Sequence, residues 1–260
     1  MIKFFRKIRY DLLEKNKTGK YLKYAIGEII LVVIGILIAL GINNWNEKRK
    51  DHNSEKAVLI NLKKEFQLNL EMINHYLEGD YEIVKGCVAI TDIIRSNNLE
   101  KESNKLDSLL YIIENFAAFP AKIGVVDELI NSGKLNIITN DSLRMKLTGW
   151  SSFLMNAKED SEYRFENYHL NLMPFLIKNF PLANGELNKK MKNVISGDLL
   201  PNYKEQSQFK ADYSNLNLME FENVIWHQKH NTDYVIIENY TLKKEILSIV
   251  KIIESELENK

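Results

Sequence analysis

Cysteine occurs once in the 260 residues, which excludes an intramolecular disulfide framework and any zinc site built on cysteines. Proline occurs four times and glycine eleven times. So few backbone breakers point to long helices. Net charge is also missing: 35 Lys and Arg balance 35 Asp and Glu. A general nucleic-acid binder would carry a basic excess, so that class is excluded. The chain lacks a Gly-rich phosphate loop, an H-E-x-x-H pair, a G-x-S-x-G elbow and a calcium-loop pattern. What it has is 45% hydrophobic and 27% charged residues, a balance that rules out wholesale disorder.

The neutral total conceals three environments. Residues 1–23 carry Lys3, Arg6, Lys7, Arg9, Lys15, Lys17, Lys20 and Lys23 against Asp11 and Glu14, a net charge of +6. Residues 24–45 carry only Glu28, and residues 46–260 carry −5. The expected organisation is therefore a basic head (1–23), a transmembrane helix (24–45) and an exported domain (46–260).

The middle segment earns that reading by length and composition. From Ile29 to Ile42 no side chain is polar, and eleven of the fourteen are Ile, Leu or Val. A helix over 24–45 rises about 33 Å, enough to cross a hydrocarbon core of about 30 Å. Tyr21 and Tyr24 at one end and Trp45 at the other suit the two interfacial aromatic belts. A soluble core helix would show a polar face, which 29–42 lacks. A cleaved signal peptide, with Ala39-Leu40-Gly41 as its cleavage site, would have a shorter leading region.

Orientation rests on the head. Five basic residues precede the span within fifteen positions and four follow it. The near tie breaks because a tail with eight Lys and Arg translocates poorly, whereas a long downstream domain crosses largely regardless of charge. The head is therefore expected to stay in the cytoplasm and the body to be exported. Ile2, Phe5, Ile8 and Leu12 recur at helical spacing among the basic residues. The head reads either as a topology signal alone or as an amphipathic helix on an anionic leaflet.

Two features of the span stand out. Glu28 lies about 7 Å inside the boundary at Lys23. It is either a functional intramembrane acid or a carboxylate reaching back to Lys20, Lys23 or lipid headgroups. Gly27, Gly35 and Ala39 fall on nearly one stripe. They either form a homodimer seam or reflect the general abundance of small residues in spanning helices.

Three strings near the start also resemble something known: Met1-Ile2-Lys3-Phe4-Phe5-Arg6-Lys7-Ile8-Arg9, then Tyr24 through Leu40, then Ile42-Asn43-Asn44-Trp45-Asn46. Glu128 through Leu135 and Asn140 through Arg144 agree. The chain resembles an uncharacterised, domain-of-unknown-function family of Gram-negative membrane proteins. The resemblance implies a single span followed by a helical extracytoplasmic body, which with the orientation above gives a bacterial inner membrane as the expected location, N-terminus cytoplasmic and C-terminal domain periplasmic. It implies no activity and supplies no catalytic residues.

The body reads as all-α. Leu59, Leu62, Phe66, Leu70, Ile73, Leu77, Tyr81, Val84, Val88, Thr91 and Ile94 predict one amphipathic helix over 54–97. Its weak point is Gly79-Asp80, and Ser96-Asn97-Asn98 ends it. Asn104 is placed to cap a short helix to Phe116. A helix over 125–132 closes at Gly133, and Asn140 caps a helix opening at Asp141. That helix turns Leu143, Leu147, Trp150, Leu154 and Ala157 inward. Residues 182–216 read as loops with a short helix. Tyr234 to Leu257 forms the last helix, with Ile236, Tyr240, Leu247, Val250 and Ile253 on one side.

No catalytic constellation emerges, and no cofactor is implied. His227 and His230 stand one turn apart near Glu222 and Asp233, but two imidazoles lack the third and fourth ligands of a metal site. Asp127 and Glu128 are adjacent, so a helix points them apart. They suit a helix N-terminus better than acid–base work. Cys87 falls in the apolar register of the long helix and reads as core. The expected function is non-enzymatic: a membrane-anchored protein-interaction or scaffold module with an envelope protein as partner. The alternative is a sensor-like ligand-binding bundle acting through a partner subunit. A concave pocket with converging polar groups would favour the ligand-binding alternative, and a flat apolar patch the scaffold.

Overall fold

No proline falls between residues 18 and 95, and the chain there forms one helix, α1 (Thr18–Arg95). The structure, a computed structural model, describes residue 10, residues 18–188 and residues 206–258. The basic head through residue 17, Tyr10 apart, lies outside the described residues, as do the side chains of Tyr21 and Tyr24. The chain divides into two compact units, residues 1–57 and 58–260.

In the first unit, the apolar part of α1 has a mean hydropathy of 2.8 over eighteen residues, and none of that stretch is buried. It is long and apolar enough to cross a membrane. Trp45 is exposed, with the Arg49 guanidinium 5.3 Å from its ring centre.

The second unit contains residues 58–95 of α1, then α2 (Ser103–Glu114), α3 (Gly124–Asn131), a 3-10 turn (Lys134–Ile137) and α4 (Asp141–Asn167). A π-helical turn (Tyr168–Leu172) leads into α5 (Met173–Asn179), followed by α6 (Ala183–Asn188) and α7 (Leu218–Glu258). There is no strand among the described residues, so the all-α expectation holds.

Helix ends follow local chemistry. α1 stops where Asn97 adopts a left-handed φ of 56°. The Asn97 and Asn98 amides donate to the Ile94 and Ile93 carbonyls, a Schellman closure. α3 is followed by Gly133 at φ 68°, a conformation that favours glycine. Asn140 caps α4 as expected, its Oδ1 accepting from the Leu143 amide at 2.9 Å. Asn104 does not cap α2: residue 102 stands at the cap and offers no side-chain bond. α3 is capped from a distance instead. The Glu65 carboxylate accepts from the Val125 and Val126 amides at 2.7 and 3.3 Å. Asn69 clamps both backbone groups of Lys122 at 2.7 and 2.8 Å.

Two apolar cores result. In one, Leu59, Leu62 and Phe66 of α1 meet Leu143, Leu147 and Trp150 of α4 and Ile246, Ile249 and Ile253 of α7. Phe66 and Trp150 pack edge to face at 5.1 Å. In the other, Ile83, Cys87 and Ile90 meet Leu106, Leu110 and Ile113 of α2, Leu176 of α5, and Phe221 and Ile225 of α7. α6 lies so close to α2 that a Cβ on Gly185 would stand 2.7 Å from the Asp107 carbonyl oxygen.

The expected apolar register slips midway along α1. Just beyond Leu77 the buried positions are Asp80, Ile83, Cys87 and Ile90, whereas Tyr81 and Val88 face outward; the expected register is regained at Ile94, which is buried. The same happens on α7, which begins at Leu218, sixteen residues before the expected start. There Val235, Asn239, Leu242 and Ile246 are buried, and Tyr240 and Leu247 are exposed, whereas Val250 and Ile253 are buried as expected. Both corrections have one cause: a polar side chain takes an inward position because a buried partner meets it.

Cys87 is fully buried, and burial pushes its thiol up to about 12, with Asp233 adding to the shift and Lys229 opposing it. Iodoacetamide at pH 8 should leave the native chain unmodified and add one label after denaturation, read by mass spectrometry. A native adduct forming at the free-thiol rate would place Cys87 on the surface.

Candidate ligand-binding groove

Between the two apolar cores lies a belt of buried polar side chains. Arg164 of α4 is fully buried, and its Nη1 donates to Asp80 Oδ1 at 2.5 Å. Its Nη2 donates to the Ala117 carbonyl at 3.2 Å, and Phe116 lies 4.8 Å from its guanidinium carbon. Asn239 of α7 donates to the other Asp80 oxygen at 3.5 Å. Burial raises the Asp80 pKa above the ordinary carboxylate value, while Arg164 and Asn239 pull it back. Further along the belt, Gln228 donates to the Ile113 carbonyl at 2.9 Å and the Thr232 hydroxyl donates to the Gln228 carbonyl. At its rim, the Tyr168 hydroxyl donates to Glu114 at 3.4 Å. Burial first, and Glu114 second, push that hydroxyl up to about 12.

The belt is incompletely satisfied. Five buried side-chain atoms have no hydrogen-bond partner among the described residues, and four of them are here: Arg164 Nε, Asn167 Nδ2, Gln228 Oε1 and Asn231 Nδ2. A buried amide or guanidinium nitrogen without a partner costs about 1–3 kcal/mol, so such groups are scarce and need a reason.

Beside the belt, α4 and α7 line a groove of about 480 Å³. α4 lines it with Glu159, Asp160 and Tyr163, and α7 with Trp226, His227, His230, Asn231 and Tyr234. Asn231 thus belongs to both belt and groove. Trp226, His230 and Tyr234 sit at intervals of four on α7 and form a ladder. The Trp226 and His230 rings stack at 4.7 Å, and Tyr234 meets His230 edge-on at 4.8 Å. The His227 ring nitrogen lies 2.5 Å from Asn167 Oδ1, at the residue where α4 passes into the π turn. Single π turns of this kind frequently accompany functional sites. Trp226 and His227 also border a second depression of about 630 Å³, with Asn171, Met219, Glu220 and Asn223.

The groove is acidic. Neither Lys nor Arg lines it, and the nearest lysines on its helices are engaged elsewhere: Lys158 with Glu162 at 2.9 Å and Lys229 with Asp233 at 2.6 Å. Partial burial, with help from neighbouring Glu159, raises the Asp160 pKa.

A model of a family of unknown function matches residues 28–162. The chain belongs to this family, DUF6090. No curated protein and no solved structure matches it. The DUF6090 region takes in the apolar segment, Asp80, Glu159 and Asp160 and stops short of Arg164 and α7. The groove of this DUF6090 chain is therefore built jointly by the matched region and by the sequence that follows it.

The residues singled out in sequence are dispersed. Gly27, Glu28, Gly35 and Ala39 lie on the apolar part of α1, where a Cβ on Gly27 or Gly35 would meet open space. Glu222 takes Arg95 at 2.5 Å and Asp233 takes Lys229, so neither stands by the histidines as a ligand. No group of three His, Cys, Asp or Glu side chains suited to a metal ion occurs among the described residues. Asp127 lies in the first turn of α3, as its charge predicts. His227 and His230 do share one site, but with rings rather than with ligands. The aromatic ladder went unread in the sequence, although Trp226, His230 and Tyr234 recur there at helical spacing. The π turn had no sequence signal.

Proposed function

We propose that the chain is a membrane-anchored ligand-binding module. The apolar segment of α1 holds it in a bilayer, with residues 1–23 cytoplasmic and the helical body exported to the periplasm. The groove between α4 and α7 binds a small polar ligand. The observation that carries this reading is the convergence of orphaned buried polar atoms beside an aromatic, acidic groove. A body serving only as a spacer gains nothing from that arrangement and loses stability by it. The histidines, acids and asparagine orient a ligand rather than react with it. Exposed Met145, Met155, Ile237 and Leu247 on the same two helices support protein interaction as a second reading.

The test uses the full chain in detergent micelles against a panel of polar metabolites. A ligand at a hundred times its Kd should stabilise the protein by about 2.7 kcal/mol. Trp226→Ala with Tyr234→Ala should remove the shift without lowering the unliganded melting temperature by more than a few degrees. If no compound shifts the melt, and cross-linking in the host recovers a protein seated on α4 and α7, the interaction reading replaces this one.

A further inference from the structure

We propose that the body-side end of the apolar segment carries a site for the phosphate of an anionic phospholipid, formed by Lys48, Arg49 and His52 of α1 beside Trp45. The proposal rests on reading that segment as a span and names the lipid that its end selects.

Helix geometry gives the first argument. At about 100° per residue, Trp45, Lys48, Arg49, His52 and Lys56 fall within an arc of about 100° around α1. The carboxylates Glu47, Asp51 and Glu55 fall outside it. Trp45, Lys48, Arg49 and His52 are exposed, and Lys56 is partly so. Residues three and four apart are neighbours on a helix surface, so Lys48, Arg49 and His52 form a triangle one turn beyond Trp45. A phosphate can accept from all three: an ammonium, a guanidinium fork and an imidazole N–H.

Depth gives the second. The apolar run ends just before Trp45, and the polar layer of a bilayer extends about 5–7 Å beyond the hydrocarbon on each side. Lys48 and Arg49 stand about 4.5–6 Å along the axis from Trp45. Helical side chains lean toward the N-terminus, so His52 and Lys56 reach back toward the same layer. The apolar segment therefore brings these donors to the depth of the lipid phosphates, an observation independent of their charge.

The charges are also uncommitted. Lys48 and Lys56 make no ion pair among the described residues. The Arg49 guanidinium carbon stands 5.3 Å from the Trp45 ring centre, and its Nη2 donates to Asn46 Oδ1 at 3.5 Å. Those contacts hold the guanidinium in place without neutralising it. Glu47 accepts from Asn43 at 3.0 Å instead of from a lysine. Topology does not account for the cluster, because basic residues on the exported side oppose the orientation that the basic head sets. A phosphate does account for it: each Lys or Arg near an anionic surface favours contact about fivefold.

Native mass spectrometry of the full chain in detergent micelles tests the site, with phosphatidylglycerol and phosphatidylcholine of the same acyl chains as probes. The wild-type chain should hold phosphatidylglycerol at least tenfold more tightly. Lys48→Gln and Arg49→Gln should each weaken it about fivefold and leave phosphatidylcholine unchanged. Lys50→Gln removes the same charge from the other side of the helix and should weaken it less than twofold. A melting curve confirms that each variant is folded. Glycerophosphoglycerol, the headgroup without its acyl chains, should not compete at equal concentration. Equal retention of the two lipids overturns the proposal. Equal losses from Lys48→Gln and Lys50→Gln also overturn it, since the attraction would then be one of net charge alone. Competition by glycerophosphoglycerol as strong as that of phosphatidylglycerol itself would assign the site to a free phosphate ester and overturn the lipid. None of these results bears on the span, which fails separately if alkaline carbonate releases the wild-type chain from the membrane.

Discussion

Arg164→Ala and Asp80→Ala should each cost the folded chain about 3–5 kcal/mol, read from denaturant melts of the intact protein in detergent. The size follows from burial. Arg164 is fully buried and Asp80 is 3% exposed, so removing either leaves the other charge stranded without water. Arg164 also ties α4 to the Ala117 carbonyl, and that bond is lost in Arg164→Ala alone. The double variant Asp80→Leu with Arg164→Met should recover most of the loss, because an apolar pair of similar volume avoids desolvating two charges. Asn239 would then lose the acceptor at Asp80 Oδ2, which sets a limit to the recovery. Single variants that cost under about 1 kcal/mol would mean that water reaches the pair, as it does at exposed ion pairs. The double variant has a second use. If it folds and still binds at the groove, the pair serves stability; if it folds without binding, the pair fixes the spacing of α4 and α7 on which the groove depends.

This pair also explains where reading the sequence went astray. Hydrophobic periodicity located the long helix, its end near Ser96 and the face of α4, because those segments bury the residues that look buried: Leu59, Leu62 and Phe66 on α1, and Leu143, Leu147 and Trp150 on α4. The rule fails where the inward residue is charged. From Leu77 onward, an apolar count steps to Tyr81, Val84 and Val88. The fold steps to Asp80, Ile83 and Cys87, since Arg164, 84 positions away, supplies the partner that makes Asp80 tolerable inside. Tyr240 and Leu247 on α7 misled in the same way, with Asn239 holding the inward place. Of the groove only His227 and His230 were singled out, and as a metal pair. The periodicity of Trp226, His230 and Tyr234 is there to be read but was missed, because the last helix was started at Tyr234, and Glu159 and Asp160 are joined to the ladder only by packing of α4 on α7. Glu65 and Asn69 were unreadable for the same reason: each acts on backbone groups more than fifty positions away.

Two arginines in the apolar segment should detach the chain from the membrane. The eleven aliphatic residues between Ile29 and Ile42 favour insertion by roughly 3–7 kcal/mol in all, at about 0.3–0.6 each. An arginine near the centre of a span opposes it by about 2.5–3.5 kcal/mol. Val33→Arg with Ile36→Arg therefore adds about 5–7 kcal/mol, enough to cancel the drive. One arginine leaves a net preference for the bilayer across most of that range. Asn44→Arg, at the end of the segment, should do little, because a long side chain there reaches the interface. The readout is the fraction of full-length chain remaining with the membrane after alkaline carbonate extraction, followed with a tag at each end. Wild type and Asn44→Arg should stay in the pellet with both tags on one polypeptide, whereas the double variant should appear in the supernatant. Loss of the N-terminal tag from the wild-type chain would make the segment a cleaved leader. A reporter active only outside the cytoplasm, fused after Lys260, should be active on the wild-type chain and silent on the double variant. An active reporter on both would mean that the segment does not direct export, and a silent reporter on the wild-type chain would overturn the proposed orientation.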